Sequence, residues 1–304
     1  MGLHQIQAHP VKQGAKLHDG EQGAIVMRIL AAEQVLQAYD RVSELYPHIP
    51  SLGHWRAWEY AAYRHHRLDG RILDLGCGDG RYFRLLWPQA ANVVGVDMSP
   101  GVAELGRQSG VYCEVHVAPA HQVPEADASF DHVFANCSLE HMDHLDAVLA
   151  EIHRCLRPGG TLLCSVVTDR FVQWALLPTL ISMAGFDEAA AALQREFIDY
   201  HHVANPFSVD DWVKSFDRSG LIAEEHIPIL PKHNSGIFLL MDSLWHVKRA
   251  GGGEMGDTIF PFLATNANFP GAFRKILDGL LQMETDWRDC SGAVFLVRKR
   301  GTGI

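Results

Sequence analysis

Apolar residues recur with two different periods along the chain, and the alternation between these periods predicts the fold. Between residues 71 and 167, short apolar runs alternate with segments whose apolar positions lie three or four residues apart. Strands are predicted at 71–75, 92–96, 111–117, 130–135 and 161–167, with helices between them at 80–87, 100–109 and 145–156. This alternation predicts parallel βαβ units with right-handed crossovers.

Helical spacing on both sides of this core predicts further helices. Upstream they are expected at 25–46 and 54–66, and the second of these carries Trp55, Trp58, Tyr60 and Tyr63. Downstream, residues 171–200 predict two helices, 208–219 another helix, 221–227 a strand, 272–283 a helix and 292–298 a last strand. Three consecutive glycines at 251–253 predict a loop, and residues 1–24 are expected to be loose.

Composition narrows the class of partner. The formal net charge of the 304-residue chain is −10, and its 26 lysines and arginines are dispersed, which disfavours a nucleic-acid partner. Its 18 histidines and six cysteines show no metal-binding spacing, so no metal is expected. The cysteines are expected to be free thiols in a reducing compartment.

The chain also lacks the usual signals for membrane insertion. The first 22 residues contain no apolar signal core, and the longest apolar run, at 171–186, is too short to span a bilayer. We expect a soluble, cytoplasmic protein without a transmembrane segment. Peripheral membrane contact through residues 171–186 stays open, although such a run is more often the core of a cap.

A glycine-rich loop follows the first strand of the core, in the sequence ILDLGCGDG at 72–80. Glycines at a strand-to-helix junction permit a tight turn and the close approach of a ligand. The spacing Gly76-x-Gly78-x-Gly80 differs from the dinucleotide pattern, in which the third glycine stands one residue later. Asp74 would repel a pyrophosphate but attract an ammonium or a sulfonium. The loop therefore favours a cationic ligand over a dinucleotide.

The second strand ends at Asp97, followed by Met98. A carboxylate at this strand end can accept hydrogen bonds from both hydroxyl groups of an adenosine ribose, and Met98 can lie against the adenine. The alternative is that Asp97 caps the next helix, although Ser99 suits that position better.

Four segments in this order, LDLGCGDG, VVGVDMS, SFDHVFANCSLEHM and LRPGGTLLCSVV, resemble the class I S-adenosylmethionine-dependent methyltransferases of small-molecule type. The resemblance covers roughly residues 66–168. It implies an α/β, doubly wound, Rossmann-like sheet of seven strands in the order 3-2-1-4-5-7-6, with a helical cap and an antiparallel last strand. Residues 292–298 are the candidate for that last strand.

The resemblance also implies S-adenosylmethionine as cofactor, S-adenosylhomocysteine as product, and a set of binding residues. Ala120 would offer a backbone amide to adenine, although Pro119 stands where many relatives have an aspartate, and Asn136 would offer its backbone carbonyl to the methionine ammonium. The predicted cofactor-binding residues are Asp74, Gly76, Cys77, Gly78, Asp97, Met98, Ala120 and Asn136.

On this basis the chain divides into four parts. Residues 1–65 form helices of the cap, 66–168 the cofactor-binding core, and 169–207 a helical lid. Residues 208–304 complete the core and carry a helical insertion at about 230–290.

Methyl transfer from a sulfonium is an in-line displacement with a neutral leaving group, so the protein mainly aligns donor and acceptor in a dry pocket. A general base is needed only where the acceptor loses a proton early. His141, after the fourth strand, and His201 and His202, in the insertion after the fifth, are the catalytic candidates. Packing, positioning and surface roles remain the alternatives for all three.

The expected reaction is methylation of oxygen or nitrogen, less readily carbon, on a small and possibly hydrophobic organic acceptor. Two other functions stay open. One is an NAD-dependent oxidoreductase, against which the glycine spacing and the absence of a Tyr-x-x-x-Lys motif count. The other is a non-catalytic partner subunit that only binds the cofactor. The oligomeric state is not predicted.

Overall fold

A computed structural model describes residues 16–17 and 24–301 of the chain, and one mixed sheet forms the centre of this part. The strands are β1 (Lys16–Leu17), β2 (Ile25–Met27), β3 (Ile72–Leu75), β4 (Val93–Asp97), β5 (Glu114–Val117), β6 (Phe130–Asn136), β7 (Leu156–Val167), β8 (Leu221–Pro231) and β9 (Cys290–Lys299). The sheet thus has nine strands within the described residues.

Twelve α-helices and one short 3₁₀ helix occupy the described chain between these strands. The helices are α1 (Ala32–Val42), α2 (Pro50–Tyr63), α3 (Arg81–Leu86), α4 (Pro100–Ser109), α5 (Leu145–Cys155), α6 (Asp169–Gln173), α7 (Leu176–Met183), α8 (Asp187–His201), α9 (Val209–Arg218), α10 (Lys232–Trp245), α11 (Gly256–Ala264) and α12 (Phe269–Met283). The 3₁₀ helix spans Leu139–His141. No helix among the described residues has the length and apolar character needed to cross a bilayer.

The strand order is β1-β2-β8-β9-β7-β6-β3-β4-β5. Strands β3 to β7 pair in parallel, and β9 runs antiparallel to both of its neighbours, β7 and β8. The seven strands from β5 to β8 reproduce the predicted order 3-2-1-4-5-7-6. The α/β doubly wound class is confirmed, and β2 and β1 extend the predicted sheet by two strands beyond β8.

The predicted helix at 25–46 is wrong at its beginning. Residues 25–27 form β2, which pairs in parallel with β8 through Val26 opposite Glu225, and helix α1 begins only at Ala32. The open edge of β8 offers unpaired backbone groups, and pairing with them outweighs the helical spacing of the apolar residues. The prediction for residues 1–24 lies almost entirely outside the described residues.

The segment 171–200 contains parts of three helices rather than two. Thr168 caps α6 by accepting a hydrogen bond from the Arg170 amide, and this short helix ends at Gln173. Gly185, with φ of +88°, separates α7 from α8. The sequence pattern does not resolve these breaks because apolar residues recur at helical spacing on both sides of each of them.

The central strands of the sheet bury residues on both faces. In β7, Leu162, Cys164 and Val166 join one buried cluster, whereas Leu163 and Val167 join the other. Helices α5 and α9 cover the first face, and α1, α2, α10 and α12 cover the second. Parallel sheets require such cover on both sides. The sheet edge where β3, β4, β6 and β7 end is left for ligands.

Candidate functional site

The glycine loop between β3 and α3 has a left-handed backbone at all three of its glycines. The φ angles of Gly76, Gly78 and Gly80 are +78°, +57° and +74°. A Cβ atom at Gly76 would lie 3.1 Å from the Ser138 Cβ, and one at Gly80 would lie 2.8 Å from Tyr112 Cε2. Among the described residues, no atom lies within 4 Å of a Cβ placed at Gly78. The loop is therefore closed by packing at its two ends and open at its middle.

Asp97 joins this loop to the end of β4. One carboxylate oxygen accepts a hydrogen bond from the Gly78 amide at 3.3 Å, and the other accepts one from the Ser99 amide at 2.9 Å. Helix α4 begins after Ser99, so Asp97 is not its N-cap residue. A carboxylate has about four lone-pair sites, which leaves Asp97 capacity for further donors. Met98, the next residue, is 78% exposed beside it.

Asp74 lies beneath the loop and is buried. The Tyr112 hydroxyl lies 2.7 Å from the Asp74 carboxylate and 2.9 Å from the Cys77 carbonyl oxygen. Burial raises the pKa of Asp74 to about 7; the hydrogen bond from Tyr112 opposes this rise, and the charge of Asp97 adds to it. Cys77 is itself buried and packs its sulfur toward Gly95.

The two remaining predicted cofactor residues lie at the same sheet edge. Ala120 follows β5 and packs partly buried against the core; the neighbouring Ala118 amide donates to the Asp97 carbonyl oxygen at 3.2 Å. Asn136 is the last residue of β6. The surrounding hydrogen-bond network assigns its side-chain oxygen to the side of the Arg56 guanidinium and its nitrogen to the side of the Tyr63 hydroxyl, 3.1 Å away.

A buried ion pair that was not predicted from the sequence contacts the Asn136 side chain. Arg56 Nη1 lies 2.6 Å from Glu59 Oε2, and Glu59 is fully buried. The Ser165 hydroxyl of β7 donates to the other Glu59 oxygen at 2.6 Å. The sequence did contain a signal for this pair. Two opposite charges lie three residues apart in helix α2, among aromatic and small residues.

A cavity of about 410 Å³, here called cavity A, lies beside this edge. Cys137, Glu140 and His141, from the segment after β6, line it together with aromatic side chains from α2, α6 and α10. Ser138, within the same segment, packs against Gly76, so cavity A and the glycine loop share one wall.

His141 is held in one tautomer at the wall of cavity A. Its Nδ1 lies 3.2 Å from the backbone carbonyl oxygen of His202. A carbonyl only accepts, so Nδ1 carries the proton and Nε2 is left unprotonated in the neutral ring. Nε2 lies 3.8 Å from Glu140 Oε1.

Asn205 fixes the turn that carries His141. Its side-chain nitrogen donates to the carbonyl oxygens of Leu139 at 3.0 Å and Met142 at 2.8 Å, and its backbone amide donates to the Glu140 carbonyl oxygen at 2.9 Å. These three hydrogen bonds, together with the one between His141 and the His202 carbonyl oxygen, bind the segment after β7 to the segment after β6.

The other two histidine candidates have different surroundings. His201 lines cavity A and also a neighbouring cavity B of about 600 Å³, whose walls come mainly from α7, α8 and α10. Its Nε2 lies 2.9 Å from Asp242. The His202 side chain is 64% exposed, lies 3.3 Å from Asp143, and lines neither cavity. The structure thus brings His141 and His201 to one cavity and leaves His202 outside it.

One group of metal-type side chains lies away from this site. Glu114, His116 and Glu125 approach one another, but both Glu125 oxygens also lie 3.0–3.1 Å from one nitrogen of Arg71. This ion pair already satisfies the carboxylate, so we assign no metal there.

Comparison with known proteins agrees with the geometry. Residues 73–164 match the family model described as a methyltransferase domain. Demethylmenaquinone methyltransferase of Symbiobacterium thermophilum is 32% identical over 153 residues, covering 46% of this chain and 61% of the relative. Malonyl-[acyl-carrier protein] O-methyltransferase of Serratia marcescens is 33% identical over 103 residues, covering 34% of this chain and 40% of the relative.

Among solved structures, geranyl diphosphate C-methyltransferase of Streptomyces coelicolor, bound to S-adenosylhomocysteine, aligns with a TM-score of 0.51 at 13% identity, covering 82% of this chain and 77% of that one. At this identity the match shows the fold. Residues 73–164 thus match a methyltransferase domain, and the fold is that of the class I S-adenosylmethionine-dependent methyltransferases. It spans about three fifths of the first curated relative and two fifths of the second.

The first prediction concerns Asn205. Asn205→Ala removes both side-chain donors and leaves two carbonyl oxygens of the His141 turn unpaired, so we expect the free energy of unfolding to fall by about 1–3 kcal/mol. Urea denaturation followed by tryptophan fluorescence measures this loss. Asn268→Ala is the control, because that side chain is exposed and makes no cap hydrogen bond. Equal stability of the two variants would contradict the role assigned to Asn205.

The second prediction concerns the pH dependence of stability. The folded-state pKa of Asp74, about 7, lies above its ordinary value of 3.8, so folding favours the neutral carboxyl group. The stability that this preference adds is complete below about pH 4 and is lost as the pH rises toward 7. Relative to Asp74→Asn, the wild type should lose at most about 1.4 kcal/mol of unfolding free energy per pH unit in this range.

Chemical denaturation of the ligand-free protein at several pH values tests this expectation. Asp146→Asn, at a site that is 79% exposed, should follow the wild-type pH profile. If Asp74→Asn follows it equally well, Asp74 is not the titrating group.

Proposed function

We propose that this chain binds S-adenosylmethionine against the glycine loop and Asp97 and transfers its methyl group to a small organic acceptor in cavity A. Oxygen and nitrogen are the preferred acceptor atoms, and carbon is less favoured. The observation that carries the proposal is the shared wall, where Ser138 packs on Gly76 while its neighbours Cys137, Glu140 and His141 line the cavity. A donor on the loop and an acceptor in the cavity would then be adjacent.

The residues present fit this cofactor. The side of Gly78 is open, and the adjacent Asp97 carboxylate has capacity for two ribose hydroxyl groups. Asp74 is a buried acid whose ionised form a nearby cation would favour, and the cofactor carries an ammonium and a sulfonium. We assign Met98 and the Ala120 amide to adenine, and the Asn136 carbonyl to the ammonium. When bound, the cofactor supplies a methyl group activated by its positive sulfur.

The contribution of the protein itself is alignment, exclusion of water and movement of one proton. Aromatic side chains around cavity A exclude water from an acceptor. His141, with Nε2 unprotonated, is our candidate for the group that accepts a proton from an acceptor hydroxyl or amine. His201 is engaged by Asp242, which suits it better to positioning than to proton transfer.

Similarity to named proteins does not select the methylated atom. One relative is named as an O-methyltransferase, whereas the structural neighbour is named as a C-methyltransferase.

The alternative of an oxidoreductase is disfavoured by the buried Asp74 beneath the loop, since an acid there would repel a pyrophosphate.

The third prediction tests the cofactor site. Asp97→Asn keeps an acceptor for the Ser99 amide but removes the charge, and charge-assisted hydrogen bonds contribute about 1.5–3 kcal/mol. We therefore expect the affinity for S-adenosylhomocysteine, measured by calorimetric titration, to fall roughly tenfold to a hundredfold. Asp146→Asn should bind as the wild type does, and NADH should not bind. A wild type that prefers NADH would overturn the proposal.

The fourth prediction tests proton transfer by His141. His141→Gln should lower kcat roughly 10²- to 10⁴-fold while the affinity for S-adenosylhomocysteine stays unchanged. The assay follows deuterated methyl groups from the cofactor into a panel of small amines, alcohols and phenols by mass spectrometry. His202→Asn, at an exposed position with φ of +44°, is the matched control. An unchanged kcat in His141→Gln would leave alignment alone as the source of catalysis.

A further inference from the structure

We propose that cavity A selects acceptors that carry a positively charged amine, which the Glu140 carboxylate binds inside a ring of aromatic side chains. This inference rests on the proposed function, because it names the class of acceptor for the same site. It is carried by the charges and rings that line the cavity.

Glu140 is a buried acid that has no strong hydrogen-bond donor in the described part of the chain. It is fully buried and lines cavity A; the Cys137 thiol and its own backbone amide approach the carboxyl group, but neither forms a well-aligned hydrogen bond with it. The closest ion-pair contact is to His141 Nε2 at 3.8 Å, which is beyond a hydrogen bond. Burial of an acid without donors is costly, and a ligand that brings donors recovers that cost.

The other charged groups that line cavity A already have partners. Arg56 pairs with Glu59 at 2.6 Å. Asp242 has the imidazole nitrogens of His201 and His246 at 2.9 Å and 3.6 Å. Burial raises the pKa of the Glu140 carboxyl group, and His141 opposes that rise only in part. A cationic ligand would therefore favour the ionised form of Glu140, whereas an acidic ligand would be repelled by it.

The aromatic walls favour the same ligand. Trp55, Phe171, Phe238 and Trp245 line cavity A, and the Trp55 ring lies 5.2 Å from that of Phe238 and 5.8 Å from that of Phe171, measured between ring centroids. Electron-rich ring faces around a space attract an ammonium group, and this attraction increases when water is excluded. A neutral aromatic or aliphatic acceptor would gain apolar contact from these rings but nothing from Glu140.

Three probes of similar size separate charge from apolar contact. They are 2-phenylethylammonium, its neutral counterpart 2-phenylethanol, and the anion 3-phenylpropanoate. Binding is measured at neutral pH by calorimetry and by quenching of tryptophan fluorescence, on protein saturated with S-adenosylhomocysteine. The wild type should bind the ammonium at least about tenfold more tightly than the alcohol, and the anion least tightly.

Glu140→Gln is the central variant, and Glu188→Gln makes the same chemical change at the exposed beginning of α8. We expect Glu140→Gln to abolish the preference for the ammonium and Glu188→Gln to retain it. Phe238→Leu keeps an apolar side chain but removes a ring, so it should reduce the ratio of ammonium to alcohol affinity; this variant decides the question if Glu140→Gln does not fold.

Preference for the alcohol or the anion, equal binding of all probes, absence of binding, or a preference that survives in Glu140→Gln would overturn the inference. Titration of S-adenosylhomocysteine alone separates this inference from the proposed function. If the cofactor product binds and the ammonium does not, the proposed function stands and the inference fails. If only the ammonium binds, the proposed function fails, and cavity A is a cation-binding site but not an acceptor site.

Discussion

The parallel pairing of β3 with both β4 and β6 is the constraint on which the site depends. Parallel neighbours end at the same edge of a sheet, so the ends of these strands at Leu75, Asp97 and Asn136 lie side by side. Each residue proposed to contact the cofactor lies on one of these strands or in a loop beside their ends. These three strand ends are far apart in the sequence, and only the pairing of the strands brings them together.

The chain departs from regular geometry at this edge. Gly76, Gly78 and Gly80 have positive φ, and Cys137, which is not a glycine, has φ of +51° directly after β6. Such a conformation costs of order 1–3 kcal/mol for a residue with a side chain. The turn it makes leads into the 3₁₀ helix that carries Glu140 and His141, and Asn205 holds that helix from the other side. The strain is thus located between the proposed donor and acceptor positions.

Helix α2 connects the cofactor edge with the acceptor cavity. Its buried Arg56–Glu59 pair contacts Asn136 and Ser165 on β6 and β7, while Trp55 on the same helix lines cavity A. Removing one partner of a buried pair is costly because the other charge is left unpaired. The pair therefore fixes where α2 lies, and with it the position of the aromatic wall. Glu140 contrasts with this arrangement, since no lysine or arginine among the described residues pairs with this buried acid.

The sequence by itself determined where the strands of the core and the glycine loop lie, because strand periodicity, glycines and strand-end acids are local signals. The order of the seven strands came from the resemblance to the methyltransferase family. It did not determine strand β2, because pairing with the edge of β8 depends on a segment about 200 residues away. The same reason explains the site. His141 and His201 were both candidates in the sequence, and their partners, the His202 carbonyl and Asp242, distinguish them only after folding. The Arg56–Glu59 pair and the buried Glu140 likewise became visible only in the tertiary structure, since burial and the presence or absence of a distant partner decide what a charge does.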